Sequence, residues 1–219
     1  MSDKSITVLV VGLGRFGASV ARSLERMGHE VLGVDLNPAC VEHLAQDLTQ
    51  VVEADATDIE VLKRLGAADF DAAVVGIGSN IESSVLTTLA LADLKIPKIC
   101  CKAENDNHGR ILSRTGATSV VFPEARMGER VAHVLNGAMI DYIEFDDNFS
   151  IAKLAAPKSI SGMTLDQSSL RTKYGVTVIG LKRYQEDFVH ANPELCICEG
   201  DLLIVSGPTE VVERFAAVR

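Results

Sequence analysis

A chain of 219 residues can form one domain of about 140 residues and a smaller second one. It has 21 basic and 30 acidic residues, a net charge of -9 and no cluster of lysine and arginine, which argues against nucleic acid or an anionic membrane surface as the main partner. Mean hydropathy is +0.19, yet no apolar run approaches the roughly 18 residues of a membrane helix, so the excess apolar surface is expected in a buried sheet and in subunit interfaces.

The first part of the chain predicts a strand, a glycine-rich turn, a helix and a second strand. Residues 6–11 form an apolar, β-branched run that is typical of a strand buried on both faces of a parallel sheet. The sequence Gly-Leu-Gly-Arg-Phe-Gly follows at 12–17. After the helix, a second strand at 30–34 brings Asp35 to its carboxyl end.

The helix between these strands is predicted to be amphipathic. Residues 18–27 place Val20, Leu24 and Met27 on one face with charged residues opposite, and Gly28 follows as a stop signal. Val20, Leu24 and Met27 therefore form the predicted apolar face of this helix.

The glycine-rich turn and Asp35 together predict a bound adenine nucleotide. Gly12 permits the tight turn, Gly14 leaves the backbone open to a pyrophosphate, and Gly17 lets the helix lie close to the sheet. The phosphates would meet the free N–H groups at the helix N-terminus. Asp35 stands where an acid accepts hydrogen bonds from ribose hydroxyls, and its charge disfavours the 2′-phosphate of NADP. The alternative for Asp35 is a cap for the segment after Asn37.

The pattern of alternating strands and helices continues to about residue 137 and predicts an α/β fold with a doubly wound, six-stranded parallel sheet. Further strands are predicted at 51–54, 71–78, 98–103 and 119–122. Further helices are predicted at 38–48, 59–65 (capped by Asp58), 81–94, about 107–114, and from 123 to near 137.

Ligands of such sheets bind at the carboxyl ends of the strands, and polar or glycine residues stand at each of these ends. The candidate nucleotide-binding residues are Gly12, Gly14, Arg15, Phe16, Gly17, Asp35, Asn37, Asp55, Ala56, Thr57, Gly78, Asn80, Lys102 and Glu124. Arg15 is expected to contact phosphate, because a cation at a helix start is tolerated chiefly beside an anion. Lys102 could form a structural ion pair instead of contacting the nucleotide. Glu124 could equally stabilise the first turn of its own helix.

The pattern changes at Met139, which divides the chain into a nucleotide-binding domain, 1–138, and a second domain, 139–219. The second domain is predicted to contain a turn at 146–148, one helical segment at 164–173, strands at 176–183 and 201–207, a hairpin region between them, and a terminal helix at 208–218. A unit of this size buries little surface alone, so pairing with another copy is expected.

The five cysteines and five histidines form no metal or disulfide pattern. Cys196 and Cys198 would point to one face of an extended segment, so a redox or metal role is an alternative, but free thiols are favoured. Most of the histidines are expected at the surface or at helix caps.

Taken together, these motifs resemble the KTN (RCK) domain of potassium-transport regulators, followed by a segment similar to the RCK C-terminal domain. The first resemblance rests on the glycine sequence at 12–17 with Asp35, Asp55-Ala56-Thr57, Gly78-Ser79-Asn80, Lys102-Ala103, His108-Gly109, Pro123-Glu124 and Met127-Gly128. The second rests on Gly162, Leu165, Leu170-Arg171, Lys173-Tyr174-Gly175-Val176, Lys182-Arg183 and the sequence from Glu199 to Gly207. Cytosolic gating subunits of Ktr-type and Trk-type uptake systems have this arrangement.

The resemblance implies a cytoplasmic protein that forms a ring, commonly an octamer, docked beneath a membrane potassium-translocating subunit. It implies that ATP or ADP, and in some relatives NAD(H), binds the Rossmann-type domain. Arg15 would reach the terminal phosphates, Asp35 the ribose, and Glu124 a cation such as Mg²⁺ at the subunit interface. It also implies, in some relatives, cyclic di-AMP between C-terminal domains near Arg171 and Pro193.

The sequence argues against two enzymatic functions. An NAD-dependent oxidoreductase needs a substrate domain with a proton donor, and residues 139–219 contain one histidine, His190. A nucleotide hydrolase is disfavoured because no G-x-x-x-x-G-K-[ST] sequence occurs and no catalytic base can be named. A regulatory nucleotide-binding protein is therefore the favoured class.

Overall fold

The computed structural model describes residues 5–135, 139–145 and 148–218. The chain divides into two compact units between Glu124 and Ala125. The boundary predicted at 138 falls on residues outside the described ranges, so the predicted domain limits stay a prediction. Of the helices that the structure describes, none combines the length and the apolar character needed to cross a membrane.

The first unit contains a parallel sheet with helices between its strands. The strands are β1 (Thr7–Val11), β2 (Glu30–Asp35), β3 (Gln50–Glu53), β4 (Ala72–Val75), β5 (Ile99–Lys102) and β6 (Ser119–Val121). The helices are α1 (Arg15–Arg26), α2 (Pro38–Leu44), α3 (Ile59–Arg64), α4 (Ile81–Asp93), α5 (Asp106–Thr115) and α6 (Pro123–Leu135), the last of which continues into the second unit. The strand order β3-β2-β1-β4-β5-β6, with every pairing parallel, confirms the predicted doubly wound sheet.

The central strand β1 is covered on both faces, which explains its unbroken apolar sequence. Val8 and Val10 lie in one core cluster with Ala18 and Ala21 of α1. The alternate residues of β1 lie in a second cluster with side chains from α3, α4 and α5. Helices therefore pack on each side of the sheet.

Helix α1 packs on the sheet mainly through small residues, and of its predicted apolar face Val20 and Leu24 pack against the core whereas Met27 does not. Gly17, Ala18 and Ala21 are buried, whereas Val20 and Leu24 are only partly buried and Met27 is 70% exposed. A helix that lies this close to a sheet has no room for large side chains at the contact, so these lie at its margin or beyond it.

The loops that join the strands to the following helices are fixed by side-chain caps. Asn37, Asp58, Asn80 and Asn105 each accept a hydrogen bond from a backbone N–H in the first turn of α2, α3, α4 and α5. This confirms the predicted cap at Asp58. Helix α2 ends earlier than predicted, at Leu44 rather than residue 48.

The second unit contains an antiparallel sheet. Its strands are β7 (Asp141–Phe145), β8 (Phe149–Ala155), β9 (Thr177–Lys182), β10 (Phe188–His190) and β11 (Leu202–Pro208), and its shorter helices are α7 (Leu165–Ser168), α8 (Leu170–Tyr174) and α9 (Thr209–Ala216). The strand order is β10-β9-β11-β8-β7. The core includes Leu181, Ile197, Leu203 and Phe215.

Two details of the second unit concern sequence predictions. The predicted helical segment at 164–173 is two helices, because Ser169 adopts a left-handed conformation (φ +50°) that interrupts the helix after a capping box formed by Thr164 and Gln167. The predicted turn at 146–148 includes residues 146 and 147, which lie outside the described ranges.

Candidate functional site

A pocket of about 520 Å³ lies at the carboxyl ends of the strands of the first unit. It is lined by segments that follow β1, β2, β3 and β4, together with the end of β5 and the start of α6. The candidate residues among its lining are Gly12, Gly14, Arg15, Phe16, Asp35, Asn37, Asp55, Ala56, Thr57, Gly78, Asn80, Lys102 and Glu124. The structure therefore brings every candidate residue except Gly17 to one place, where ligands of doubly wound sheets bind.

The three glycines of the turn have different structural roles. Gly12 has a φ of +85°, and a Cβ there would lie 2.9 Å from the backbone nitrogen of Ile77. A Cβ on Gly17 would collide with the carbonyl oxygen of Gly12. A Cβ on Gly14 would meet no atom within 4 Å. Gly12 and Gly17 are thus required by the fold, whereas Gly14 leaves open space in the pocket.

The N-terminus of α1 faces this space with unused hydrogen-bond donors. Gly14 is the N-cap of α1 and supplies no side-chain cap, so the N–H groups of the first turn are available to an anion. Arg15 is exposed in this turn and forms no hydrogen bond or ion pair with the residues that the structure describes. The arrangement provides backbone donors and a free guanidinium at one point of the pocket.

Asp35 holds the glycine turn against the end of β2. Its Oδ2 accepts a hydrogen bond from the Leu13 N–H at 2.6 Å, and its Oδ1 accepts one from the Asn37 N–H at 2.8 Å. Asn37, and not Asp35, is the side-chain cap of α2, and the Asp35 carboxylate retains lone pairs for further donors. Contact between Asp35 and a ribose stays a prediction.

Asp55 is part of a tight turn at the end of β3. Its Oδ1 accepts hydrogen bonds from the backbone N–H of Thr57 at 2.9 Å and from the Thr57 hydroxyl at 2.7 Å. These hydrogen bonds hold the pKa of Asp55 below its usual value. The carboxylate therefore stays ionised, and buried Ala56 adds an apolar element to the lining.

Lys102 and Glu124 form an ion pair at the edge of the pocket. The Lys102 Nζ lies 2.6 Å from the Glu124 Oε1, and this hydrogen bond lowers the pKa of Glu124, with a smaller contribution from the charge of Arg15. The Lys102 side chain is only 13% exposed and passes over Gly78, where a Cβ would lie 2.8 Å from Nζ. The structural ion pair that was the alternative for Lys102 is therefore present.

Several pocket residues were not predicted from the sequence. A Cβ on Gly76 would lie 2.8 Å from the carbonyl oxygen of Gly12, so this glycine lets β4 approach the glycine turn. Ser83 and Thr87 also line the pocket, and the buried Thr87 hydroxyl has no hydrogen-bond partner among the described residues. Two features of the sequence could have indicated these residues. Gly76 is a second glycine, beside Gly78, at the end of β4, and Ser83 and Thr87 follow Asn80 at helical spacing.

One histidine departs from the expected surface or capping positions. His108 is only 1% exposed, and its Nδ1 accepts a long hydrogen bond of 3.4 Å from the Glu104 N–H. Burial lowers the pKa of His108, which favours the neutral imidazole. In the parts of the chain that the structure describes, no group of three or more histidine, cysteine, aspartate or glutamate residues could hold a metal ion.

A doubly wound sheet with a glycine turn at a helix N-terminus and an acid at the end of β2 defines a nucleotide-binding domain of the Rossmann type. Residues 8–123 match the TrkA-N domain model, and residues 149–218 match the TrkA-C domain model. The chain belongs to the family of proteins that combine these two domains, which confirms the resemblance seen in the sequence. Ktr system potassium uptake protein C of Bacillus subtilis (strain 168) is 38% identical over 207 residues, and protein A of the same organism is 39% identical over 207 residues. Each match spans 94% of this chain. It spans 94% of protein C and 93% of protein A.

Solved structures share the fold at lower identity. The GsuK RCK domain covers all of this chain with a TM-score of 0.67 and 22% identity, and the match spans 48% of that chain. The GsuK channel bound to NAD covers 97% of this chain with a TM-score of 0.65 and 22% identity, over 39% of that chain. At this identity the likeness concerns the fold.

Proposed function

We propose that this protein is a cytoplasmic regulatory subunit that binds a nucleotide and controls potassium transport through a separate membrane subunit. The observation that carries the proposal is the single pocket that combines the glycine turn, the free donors of α1, Arg15 and Asp35. Membership of the TrkA-N and TrkA-C family supports the link to potassium, since its relatives here are named as potassium uptake proteins.

We propose ATP and ADP as the principal ligands, with NAD(H) as the alternative. The glycine turn would hold the phosphates, and Asp35 would accept hydrogen bonds from the ribose. Binding of NAD by the structurally similar GsuK channel supports a dinucleotide as the alternative. Binding rather than catalysis is proposed because Lys102 is already paired with Glu124 and the described lining residues include no histidine.

The cation predicted at Glu124 does not fit the described residues of one chain. The Lys102 ammonium pairs with one oxygen of the Glu124 carboxylate, and no cluster of carboxylate, thiol or imidazole groups adjoins it among the described residues. A cation such as Mg²⁺ would need further ligands, from the nucleotide phosphates or from a neighbouring subunit. We therefore propose no step that uses a cation.

We propose that copies of this chain assemble into a symmetric ring, with an octamer as the expected size, beneath the membrane subunit. Two separate sets of exposed apolar side chains support interfaces of two kinds. In the first unit, Ile81, Leu86, Leu89 and Ile111 are each 40–45% exposed on α4 and α5. In α6 no described side chain is buried, and its apolar residues include Met127, Val131, Val134 and Leu135.

The assembly can be tested by light scattering at micromolar concentration with and without nucleotide. The wild-type protein is expected to have the mass of an oligomer larger than a dimer. Leu86→Asp should give smaller species, because it places a charge in an apolar interface. Ala45→Asp is the matched control, since it adds the same charge at an exposed position just after the end of α2. A monomer mass for the wild-type protein under both conditions would contradict the proposal.

The proposed mechanism follows from the difference between ATP and ADP. Both nucleotides share the adenosine and two phosphates, so only the γ-phosphate can signal which one is bound. Among the described lining residues, Arg15 is a cation that forms no hydrogen bond or ion pair. A ligand shifts a conformational equilibrium only through its different affinities for the two states. One or two charge-assisted contacts made in one ring shape could supply about 1–3 kcal/mol of coupling per site.

Arg15→Ala should leave ADP binding nearly unchanged while it removes the difference between the ATP and ADP states. Small-angle scattering would measure ring shape, and potassium flux through the partner subunit would measure function. Arg26→Ala is the matched control, since Arg26 lies in the last turn of α1 outside the pocket. If Arg15→Ala still changes shape between ATP and ADP as the wild type does, the γ-phosphate is sensed by other residues.

We further propose the second unit as the place where cyclic di-AMP would bind between two copies. Arg171 and Pro193 are both exposed, which leaves them available to a ligand or to a second copy. The Pro193 carbonyl accepts a hydrogen bond from the Asp166 N–H at 3.1 Å, which ties this loop to α7.

A further inference from the structure

Helix α4 buries three hydroxyl groups that differ in their hydrogen bonds. Ser84, Thr87 and Thr88 are each 0% exposed. The Thr88 hydroxyl donates to the Ser84 carbonyl oxygen at 2.7 Å and lies 3.3 Å from the Cys101 Sγ. The hydroxyls of Ser84 and Thr87 have no hydrogen-bond partner among the described residues. A buried hydroxyl without a partner is unfavourable, so each of these two needs an explanation.

The hydrogen bond that Thr87 lacks is one that helical serine and threonine residues commonly form. Such a hydroxyl can donate to the carbonyl oxygen four residues earlier in its own helix. Thr88, Ser113 and Thr115 do so at 2.7, 3.0 and 2.8 Å. Thr87 forms no such bond with the Ser83 carbonyl. Its hydroxyl is therefore open to a partner outside the helix.

The position of Thr87 separates it from the other two residues. Thr87 lines the nucleotide pocket, whereas Ser84 and Thr88 do not. Thr88 faces Cys101 of β5, and one step along a helix turns the side chain by about 100°, so Thr87 faces another direction. Thr87 thus combines a buried hydroxyl that lacks a partner with a place in the wall of the pocket.

The side of the sheet on which α4 packs supplies an apolar part of the pocket lining. Val11, Ala54, Ala56 and Ile77 line the pocket and belong to, or pack against, the core cluster that includes side chains of α3 and α4. Helix α1, whose N-terminus is proposed to receive the phosphates, packs on the opposite face of the sheet. Binding sites for flat, largely apolar groups have such walls with a small number of polar side chains, here Thr87.

We propose that the Thr87 hydroxyl binds the adenine base of the nucleotide, which supplies the hydrogen bond that the protein does not. The edge of adenine carries nitrogen acceptors and an amino donor, and a threonine hydroxyl can donate or accept. A base fits this side of the pocket better than a phosphate, because a charged group would lose its hydration against the apolar wall. The inference rests on the proposed nucleotide binding and adds a residue that recognises the base.

The test measures the dissociation constant of ADP with the full-length protein by calorimetry. Thr87→Val keeps the shape of the side chain and should raise the dissociation constant at least about fivefold, because the base loses a hydrogen bond. Thr87→Ser keeps the hydroxyl and should stay within about twofold of the wild type. Unchanged ADP affinity in Thr87→Val would overturn the proposal.

The neighbouring residues provide controls that separate binding from stability. Thr87→Val should keep or raise the melting temperature, since it removes a buried hydroxyl that has no partner. Thr88→Val should lower the melting temperature by about 2–4 °C, because it removes a hydrogen bond, and should leave ADP affinity unchanged. Ser84→Ala removes an unpartnered hydroxyl away from the pocket and should also leave ADP affinity unchanged. An equal loss of affinity in all three variants would overturn the proposal, because it would indicate a general effect on α4.

Other nucleotides identify the part of the ligand that Thr87 contacts. Thr87→Val should weaken ATP and ADP by the same factor, since they share the base. UDP has the same ribose and diphosphate but a smaller base, so its affinity should fall less. Equal losses for UDP and ADP would place the contact at the ribose or the diphosphate and overturn the assignment to the base. A wild-type protein that binds none of these nucleotides would contradict the proposed function, whereas wild-type binding that Thr87→Val does not weaken would contradict this inference alone.

Discussion

Replacing Gly14 with valine is expected to abolish nucleotide binding and to leave the fold intact. A Cβ at Gly14 meets no protein atom within 4 Å, and its backbone (φ −63°, ψ −172°) is open to any residue, so the valine would extend into the open space where the phosphates are proposed to bind. The dissociation constant measured by calorimetry should rise at least about a hundredfold, which corresponds to about 2.7 kcal/mol. The free energy of unfolding should change by about 1 kcal/mol or less, the cost of a poorer N-cap residue.

The matched control for this variant is Ser19→Val. Ser19 is exposed on the same helix and does not line the nucleotide pocket, so the variant tests a valine near the start of α1 without filling the site. Nucleotide affinity should remain at the wild-type value. Wild-type affinity in Gly14→Val would remove the basis for placing phosphates at the glycine turn.

Replacing Gly17 with alanine should instead destabilise the first unit without any ligand. The new methyl group would collide with the carbonyl oxygen of Gly12, whose N–H donates to the Val34 carbonyl of β2, and Gly17 belongs to the buried side of helix α1. The expected loss is about 4 kcal/mol or more in the free energy of unfolding, or failure to fold. A fall in melting temperature of about 10 °C or more would be seen by circular dichroism or calorimetry.

Gly128→Ala is the matched control for Gly17→Ala. Both glycines lie inside helices, but a Cβ at Gly128 meets no atom within 4 Å. Alanine there should be neutral or stabilise the protein by up to about 1 kcal/mol, because glycine is the poorer helix former. Similar stability of the two variants would show that close contact between α1 and the glycine turn does not limit the fold.

Much of the first unit was predictable because its signals are local. The apolar run of β1, the glycine turn and the caps act within a few residues, and a parallel sheet brings the strand ends together once its strands are recognised. The candidate residues that line the pocket follow from this rule alone. The prediction failed at Met27, where a local pattern does not specify the surface against which the residue packs. A helical pattern does not indicate how closely the helix approaches the sheet.

The sequence by itself determined the class of fold, the position of the pocket and the glycine that keeps it open, because backbone conformation and hydrophobic period are properties of short segments. Only the tertiary structure decided that Gly76 must lack a side chain beside Gly12 and that Lys102 pairs with Glu124. These contacts join segments far apart in the chain. The distances between them are set by the strand order and the register of the sheet. No single segment of the sequence indicates either of these.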